Sequence, residues 1–322
     1  MGKGTQMRII FVPQYPTPMR YQEWWFTKLP DEFEKAGFEV VTLGKYSITA
    51  TEQANLAMFS PIKTAIQFET CQIKQYMELD LRDDDILFLA DLSFPGLFGN
   101  VLFHKRPKKC FAFCHATSLN YLDYFEKDRI NKFPIEQAYS RLMDKVFVGS
   151  YYHKDKLNWN NTVVTYLPYP PFNTFLDHKE YDIVSASRPN NQKVDAGLEF
   201  RIEEACKTTI MRKYFDTWED YYKHLAKAKI LLITSFEDTF GYQIVDAVLN
   251  GCIPLAPARC AYPEILPGEY IYHDEQHLMQ KIDYILNSGD NVPVPKLCCD
   301  KEMRNFYKTI VQNIKEERDL PF

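Results

Sequence analysis

Two aspartates, Asp238 and Asp246, stand eight positions apart in the run LLITSFEDTFGYQIVDAVLNGCIPLAPARCAYPE, and two cations, Arg188 and Lys193, stand five apart about fifty residues earlier. Carboxylates suit hydroxyl-rich ligands, because each oxygen accepts a hydrogen bond from a sugar or ribose hydroxyl. Arg and Lys in one loop suit a diphosphate, the guanidinium as a fork and the ammonium as a point charge. Taken singly, each of these residues also reads as ordinary solvated charge. Glu237 adjoins Asp238 and could take its place.

The elements that must position these groups are legible around them. An apolar run, Leu231 to Thr234, ends at Ser235, and the acid and a Thr239-Phe240-Gly241 turn follow. A helical stretch then carries Asp246 to Asn250, Gly251 stops it, and Ile253 to Ala256 starts a new strand. Strand, acidic loop, helix, Gly stop, strand is half of a βαβ unit, and ligands of open α/β sheets bind at the carboxyl edge where such loops lie. Ser187 and Arg188 directly follow the run Ile183 to Ala186 and precede a helix from Ala196 to Cys206.

The same alternation fills the chain. Apolar strands are expected at Met7–Val12, Phe38–Leu43, Ile86–Ala90, Cys110–Cys114, Lys145–Val148 and Val163–Tyr166. Helices are expected over Trp24–Ala36, Thr51–Leu79 and Ile135–Met143. After the proline-dense LPYPPFN (Leu167–Asn173) the pattern restarts, with a short strand near Thr208–Met211, a helix over Trp218–Ala228, a strand over Ile230–Thr234, and one more at Tyr270–Tyr272. Helices over Glu275–Asn287 and Lys301–Glu317 complete it. This is the pattern of doubly wound parallel sheets. We expect two Rossmann-like domains facing across a cleft: residues 1–170 for the acceptor, 171–300 for the nucleotide, and a last helix in 301–322 able to cross back.

A chain of 322 residues with 46% hydrophobic and 15% aromatic residues has ample material for two cores. A net charge of −5 argues against a general polyanion binder, although the first half is the more basic one. The eight cysteines lack a disulfide-scaffold rhythm. Cys110 and Cys114 read as packed thiols, because no second Cys/His pair with ligand spacing accompanies them. Nothing at the start resembles a signal peptide and no apolar stretch approaches membrane-spanning length, so a cytoplasmic protein (in a host cytoplasm, if viral) is expected.

Strand–Arg-x4-Lys, then strand–acid-x7-acid, then Gly-x-Pro resembles the C-terminal half of the retaining, nucleotide-sugar-dependent glycosyltransferases of GT-B fold, the glycogen-synthase-like and mannosyltransferase-like enzymes. Their usual motif is E-x7-E; both acids here are aspartates, which keeps the charge and shortens the reach. The resemblance implies Ser187, Arg188 and Lys193 at the diphosphate and Asp238 at donor-sugar hydroxyls. It implies Asp246 at the ribose, and the amides of Thr239, Phe240 and Gly241 near phosphate or sugar. His115, at the end of CFAFC, matches a histidine that often faces the sugar in this family. The implied donor is a nucleoside diphosphate sugar, UDP-linked by preference, with no cofactor and no metal. Two departures stand out. The first loop, Pro13 to Arg20, lacks the family's Gly-Gly pair, and the C-terminal half looks one βα unit short.

A narrower likeness joins Asn250–Tyr272 to the mannosyltransferases that modify queuosine in tRNA. FCHATSLN and RYQEWW resemble compact glycosyltransferases of large phages, which decorate hydroxylated bases in viral DNA. Both imply a modified nucleobase as acceptor, in DNA by preference, with tRNA, a glycan, a lipid or a small molecule as alternatives. Arg20 and Asp91 are the candidate acceptor contacts. His104–Lys109, Tyr151–Trp159 and Arg20–Trp25 supply cations and rings of the kind that hold phosphates and stack on bases. Each also reads as a charged turn, a helix end, or an aromatic helix packing its own core. Asp83-Asp84-Asp85 precedes a strand and is expected to be a solvated turn, not a metal site. The rival readings are an epimerase or hydrolase on the same frame, and a catalytically silent nucleotide or nucleic-acid binder.

Overall fold

The computed structural model describes residues 6–44, 61–185, 192–288 and 292–318. Ser187 and Arg188, and part of the helix expected over Thr51–Leu79, lie outside the described residues.

Among those described, two all-parallel sheets form, each with its central strands buried on both faces. The first contains β1 (Arg8–Val12), β2 (Glu39–Thr42), β3 (Ile86–Leu89), β4 (Lys109–Cys114), β5 (Lys145–Val148) and β6 (Thr162–Val164), in the order β2-β1-β3-β4-β5-β6. The second contains β7 (Tyr181–Ser185), β8 (Ile210–Arg212), β9 (Ala228–Leu232), β10 (Ile253–Pro257) and β11 (Ile271–Tyr272), in the order β11-β10-β9-β7-β8. Continuous apolar runs such as ILFL and KCFAFC explain the arrangement, since a strand covered by helices on both sides has no solvent face to alternate with. Both sheets reverse strand order once, between β1 and β3 and between β7 and β9. At such a switch the loops leaving the two strands diverge and open a crevice.

Helices α1 (Tyr21–Lys35), α2 (Pro61–Glu78), α3 (Arg129–Ser140) and α4 (Tyr151–Leu157) belong to the first sheet. Helices α5 (Ala196–Cys206), α6 (Trp218–Ala226), α7 (Tyr242–Leu249), α8 (Tyr262–Ile265) and α9 (Glu275–Asn287) belong to the second. Short polar side chains start several of them: Asp195, Thr217 and Asp274 each accept a hydrogen bond from an N–H of the first turn. The last helix, α10 (Asp300–Arg318), packs on the first domain. Phe306 meets Trp25 and Phe113, Lys145 donates to Asn313 and pairs with Glu317, and Lys315 donates to the carbonyl of Ala36.

Two expectations need correction. Asp85 is not a solvated turn residue: it is 1% exposed and holds Arg8 of β1 at 2.8 and 2.6 Å. The pair lets a charged residue begin a strand whose every position is buried. Helix α3 begins at Arg129, six residues before the expected start, and runs through Pro134.

Candidate active site at the switch of the second sheet

Lys193 and Asp238 arrive on the loops that leave β7 and β9, the two strands flanking the switch. Their charged groups meet at 3.0 Å. The loops are also stitched together by main-chain groups. The Lys193 ammonium donates to the Glu237 carbonyl (2.8 Å), the Ser235 hydroxyl to the Lys193 carbonyl (3.0 Å), and the Phe236 amide to the Gln192 carbonyl (2.8 Å). Asp238 further accepts from the Phe240 amide and the Tyr262 hydroxyl. The Lys193 and Asp238 side chains are 14% and 16% exposed, so the pair keeps some access to solvent while most of its surroundings are protein.

Directly beyond it, Gly241 opens α7 in a left-handed conformation (φ 96°), with no side chain capping the helix. A Cβ here would lie 2.8 Å from the Tyr262 ring, so both conformation and space call for glycine. The start of α7, without a side-chain cap, brings the positive end of the helix dipole beside the loop of Thr239 and Phe240.

Asp246, one turn further along α7, is placed differently from Asp238. It is 5% exposed, and its two oxygens accept from the Tyr222 and Tyr221 hydroxyls at 2.9 and 3.3 Å. Burial raises its pKa to about 7, against the pull of the two phenols.

On the first domain, His115 follows β4 and is 9% exposed, packed among Tyr21 (4.3 Å between ring centroids), Phe113 (4.5 Å) and Trp25 (4.8 Å). Burial lowers its pKa to about 3, so the ring is neutral at physiological pH. Its Nε2 finds no partner among the described residues. Tyr21 also stacks on Tyr242 of α7 at 6.4 Å, so a row of three rings joins His115 to the start of α7 across the two domains. At the switch of the first sheet, Asp91 accepts from Gln14 (2.6 Å) and from the Ser93 amide (3.0 Å), and burial raises its pKa. Arg20 is the residue preceding α1.

The sequence leaves Glu237 as an alternative to Asp238, and in the structure the two make different contacts. Glu237 is 4% exposed and receives four donors, all from the first domain: Asn120, the Tyr121 amide, Tyr152 and Lys156. It faces away from the Lys193–Asp238 pair and into the other domain. Lys156 and Tyr152 stood out in the sequence, but as nucleic-acid contacts. They lie on α4, one turn apart, and their polar ends point at this carboxylate.

The other basic and aromatic stretches are similarly committed. Lys105 donates to the Met77 carbonyl at the end of α2, and Lys109 and Arg106 pair with Asp144. Trp24 and Trp25 are core residues, 5% and 2% exposed. Cys110 and Cys114 are buried free thiols. Among the described residues no helix is long and apolar enough to cross a membrane.

No protein-family model matches the chain. Its structure is similar to that of sucrose-phosphate synthase from Thermosynechococcus elongatus, with a TM-score of 0.64 at 13% identity over 97% of this chain and 98% of that one. It is similar also to the lipopolysaccharide outer core galactosyltransferase WaaB, with a TM-score of 0.63 at 12% identity over 97% of this chain and all of the other. The chain has the GT-B fold. In sequence, 64 residues are 36% identical to the tRNA-queuosine alpha-mannosyltransferase of Drosophila melanogaster, which is 20% of this chain and 17% of that protein. Within the GT-B frame, the switch of the second sheet and the ring row from His115 to Tyr242 fall on the facing edges of the two domains.

Proposed function

We propose that the protein is a retaining glycosyltransferase that moves a sugar from a nucleoside diphosphate sugar to an acceptor hydroxyl. The observation that carries this reading is the Lys193–Asp238 pair, held at the switch of the second sheet beside the uncapped start of α7. A cation, a helix start and a carboxylate held together at one sheet edge match the diphosphate and hydroxyls of such a donor.

In this reading Lys193, with Arg188 and Ser187 from the same loop, neutralises the diphosphate, where negative charge develops as the donor breaks. The amides of Thr239, Phe240 and Gly241 assist. Asp238 orients the sugar hydroxyls, and Asp246 reaches the ribose with the oxygen lone pairs that Tyr221 and Tyr222 leave available. His115, neutral, offers the sugar a hydrogen bond and an apolar wall. The bond from the sugar's anomeric carbon to phosphate breaks, and the acceptor oxygen forms the new bond on the same face. The acceptor's proton passes to the departing phosphate oxygen.

For the acceptor we propose a hydroxyl on a modified nucleobase, met by Asp91 and Arg20 on the first domain. The 64-residue likeness to an enzyme named for a tRNA nucleoside supports a nucleobase, and the exposed Tyr151 on α4 offers a ring for stacking. The test is product analysis: UDP-, GDP- and ADP-sugars are incubated with oligonucleotides carrying 5-hydroxymethyl bases and with queuosine tRNA. Sugar transfer to DNA supports the preferred acceptor, and transfer to tRNA replaces it. Nucleotide-sugar cleavage without transfer to either overturns the nucleobase and leaves the donor half standing. An intact donor throughout refutes the enzyme.

A further inference from the structure

We infer that Glu237 is a positioning residue for the donor site, coupling the Lys193–Asp238 pair to the docked state of the two domains. The inference rests on the nucleotide-sugar reading above and adds to it a residue that touches neither substrate.

The contacts of Glu237 run to both domains. One carboxylate oxygen accepts from Asn120 (3.0 Å) and the Tyr152 hydroxyl (2.8 Å). The other accepts from the Tyr121 amide (3.2 Å) and the Lys156 ammonium (2.6 Å). The main-chain carbonyl of the same residue accepts from Lys193, and the next residue is Asp238. One residue therefore holds the first domain with its side chain and the donor-site cation with its backbone.

Neighbouring contacts converge on the same loops. Gln192 donates to the Tyr121 carbonyl (2.8 Å), the Ser150 hydroxyl to the Thr239 carbonyl (2.6 Å), and the amides of Tyr151 and Tyr152 to Glu264 (2.8 and 2.6 Å). The domains are joined elsewhere too: α10 packs on the first domain through Phe306, Asn313, Lys315 and Glu317, and Trp218 donates to Glu23. Loss of the Glu237 contacts thus removes the side-chain hold of this loop on the first domain while Ser150–Thr239 and the other joints keep the domains attached. Asn120 and Tyr121 lie on the loop that also bears His115, so the cross-link ties the sugar-facing loop of one domain to the diphosphate-facing loop of the other.

Buried carboxylate–ammonium contacts are strong only while both partners are present, because either charge left alone is desolvated without compensation. Glu237→Gln keeps the shape and can still accept from Tyr152 and Asn120. Its amide, however, turns an N–H toward the donors of Tyr121 and Lys156. The damage falls on the link to Lys156.

The test is calorimetric titration with UDP, GDP and ADP of the wild type, Glu237→Gln, Lys156→Met, the double variant and Lys156→Arg, each also melted thermally. The inference expects Glu237→Gln to weaken the nucleotide bound by wild type about tenfold, the effect of a small misplacement of the binding groups. It expects the double variant to be no worse than the worse single one, as for two members of one contact, and Lys156→Arg to keep wild-type affinity. Lowered melting temperatures with unchanged affinity would make Glu237 a structural cross-link only and overturn the inference. Independent, additive losses would overturn the coupling. If wild type binds none of the three nucleotides, the nucleotide-sugar reading fails first and this inference with it. Should Glu237→Gln not fold, Lys156→Met alone decides, because its side chain is 21% exposed and its removal leaves the fold and the three other donors to Glu237 in place: weakened nucleotide binding supports the inference and unchanged affinity overturns it.

Discussion

Replacing Asp246 by asparagine should stabilise the protein, and more so as the pH rises. Buried against α6, the Asp246 carboxyl has a pKa of about 7 in the fold, compared with an ordinary value of 3.8. Its protonated form is therefore favoured by folding: the stability it contributes is complete below pH 3.8 and is lost as the pH climbs through 7. At about 1.4 kcal/mol per pH unit, the stability lost relative to the fully protonated protein is roughly 1.5 kcal/mol at pH 5, where the fold keeps the carboxyl protonated, and about 4 kcal/mol at pH 8, where it is ionised in place. Asparagine never ionises, still accepts from Tyr222, and offers an N–H to the oxygen of Tyr221. The assay is urea denaturation of wild type and Asp246→Asn in parallel from pH 5 to pH 8. The stability difference should grow by about 2–3 kcal/mol in favour of asparagine over that range. A difference that stays flat with pH would show that Asp246 ionises normally, and the buried two-tyrosine setting would be wrong. A stabilising change at this position is also what a functional carboxylate predicts, since groups kept for binding are often held at a cost to the fold.

The buried histidines act in the opposite sense. His115 and His153 both have pKa values lowered by burial to about 3, so stability they contribute above pH 6.5 is lost as the pH falls toward 3. Each should add a slope of about 1.4 kcal/mol per pH unit between pH 4 and 6, and replacing His153 by leucine should flatten the urea-midpoint profile there; an unchanged profile would place the ring in water. Gly241→Ala forces a left-handed alanine against Tyr262 and should cost about 1–3 kcal/mol in chemical denaturation; a neutral result would mean the turn is not held at φ 96°. Arg8→Met leaves Asp85 buried and unpaired and should cost about 3–5 kcal/mol. Restoration of wild-type stability in the double variant Arg8→Met, Asp85→Leu would identify the pair itself as the cause, and persistent loss would assign it to packing.

Much of the architecture could be read from residue order because parallel strands buried on both faces are short apolar runs bounded by polar turns. Helices α5 and α9 fall on the expected residues because Asp195 and Asp274 cap them and amphipathic spacing fills them. The seven-residue α4 was not resolved as an element: it is too short for a periodic stripe, and its cations and rings suggested a surface. Its partners are more than eighty residues away on the acidic loop, a separation that local pattern cannot cross. The same holds for Asp85, whose neighbours in sequence are acids and whose partner in space is Arg8. Lys193 and Asp238 were legible as candidates because each follows an apolar strand. That they would meet depends on β7 and β9 lying side by side, which is a property of strand order. For Asp246, spacing alone did not reveal the two tyrosines of α6 that take its oxygens.

The central claim is that a nucleoside diphosphate sugar reacts beside Lys193. Proton NMR of UDP-, GDP- and ADP-linked α-sugars incubated with wild type and Lys193→Met tests it in a single experiment. With the acceptor oligonucleotides and tRNA present, the account predicts release of the free nucleoside diphosphate by wild type and a new bond from the sugar to the acceptor oxygen in the α configuration. It predicts loss of most of that turnover in Lys193→Met without loss of the fold. An inverted β product, or equal turnover by the two proteins, would contradict it.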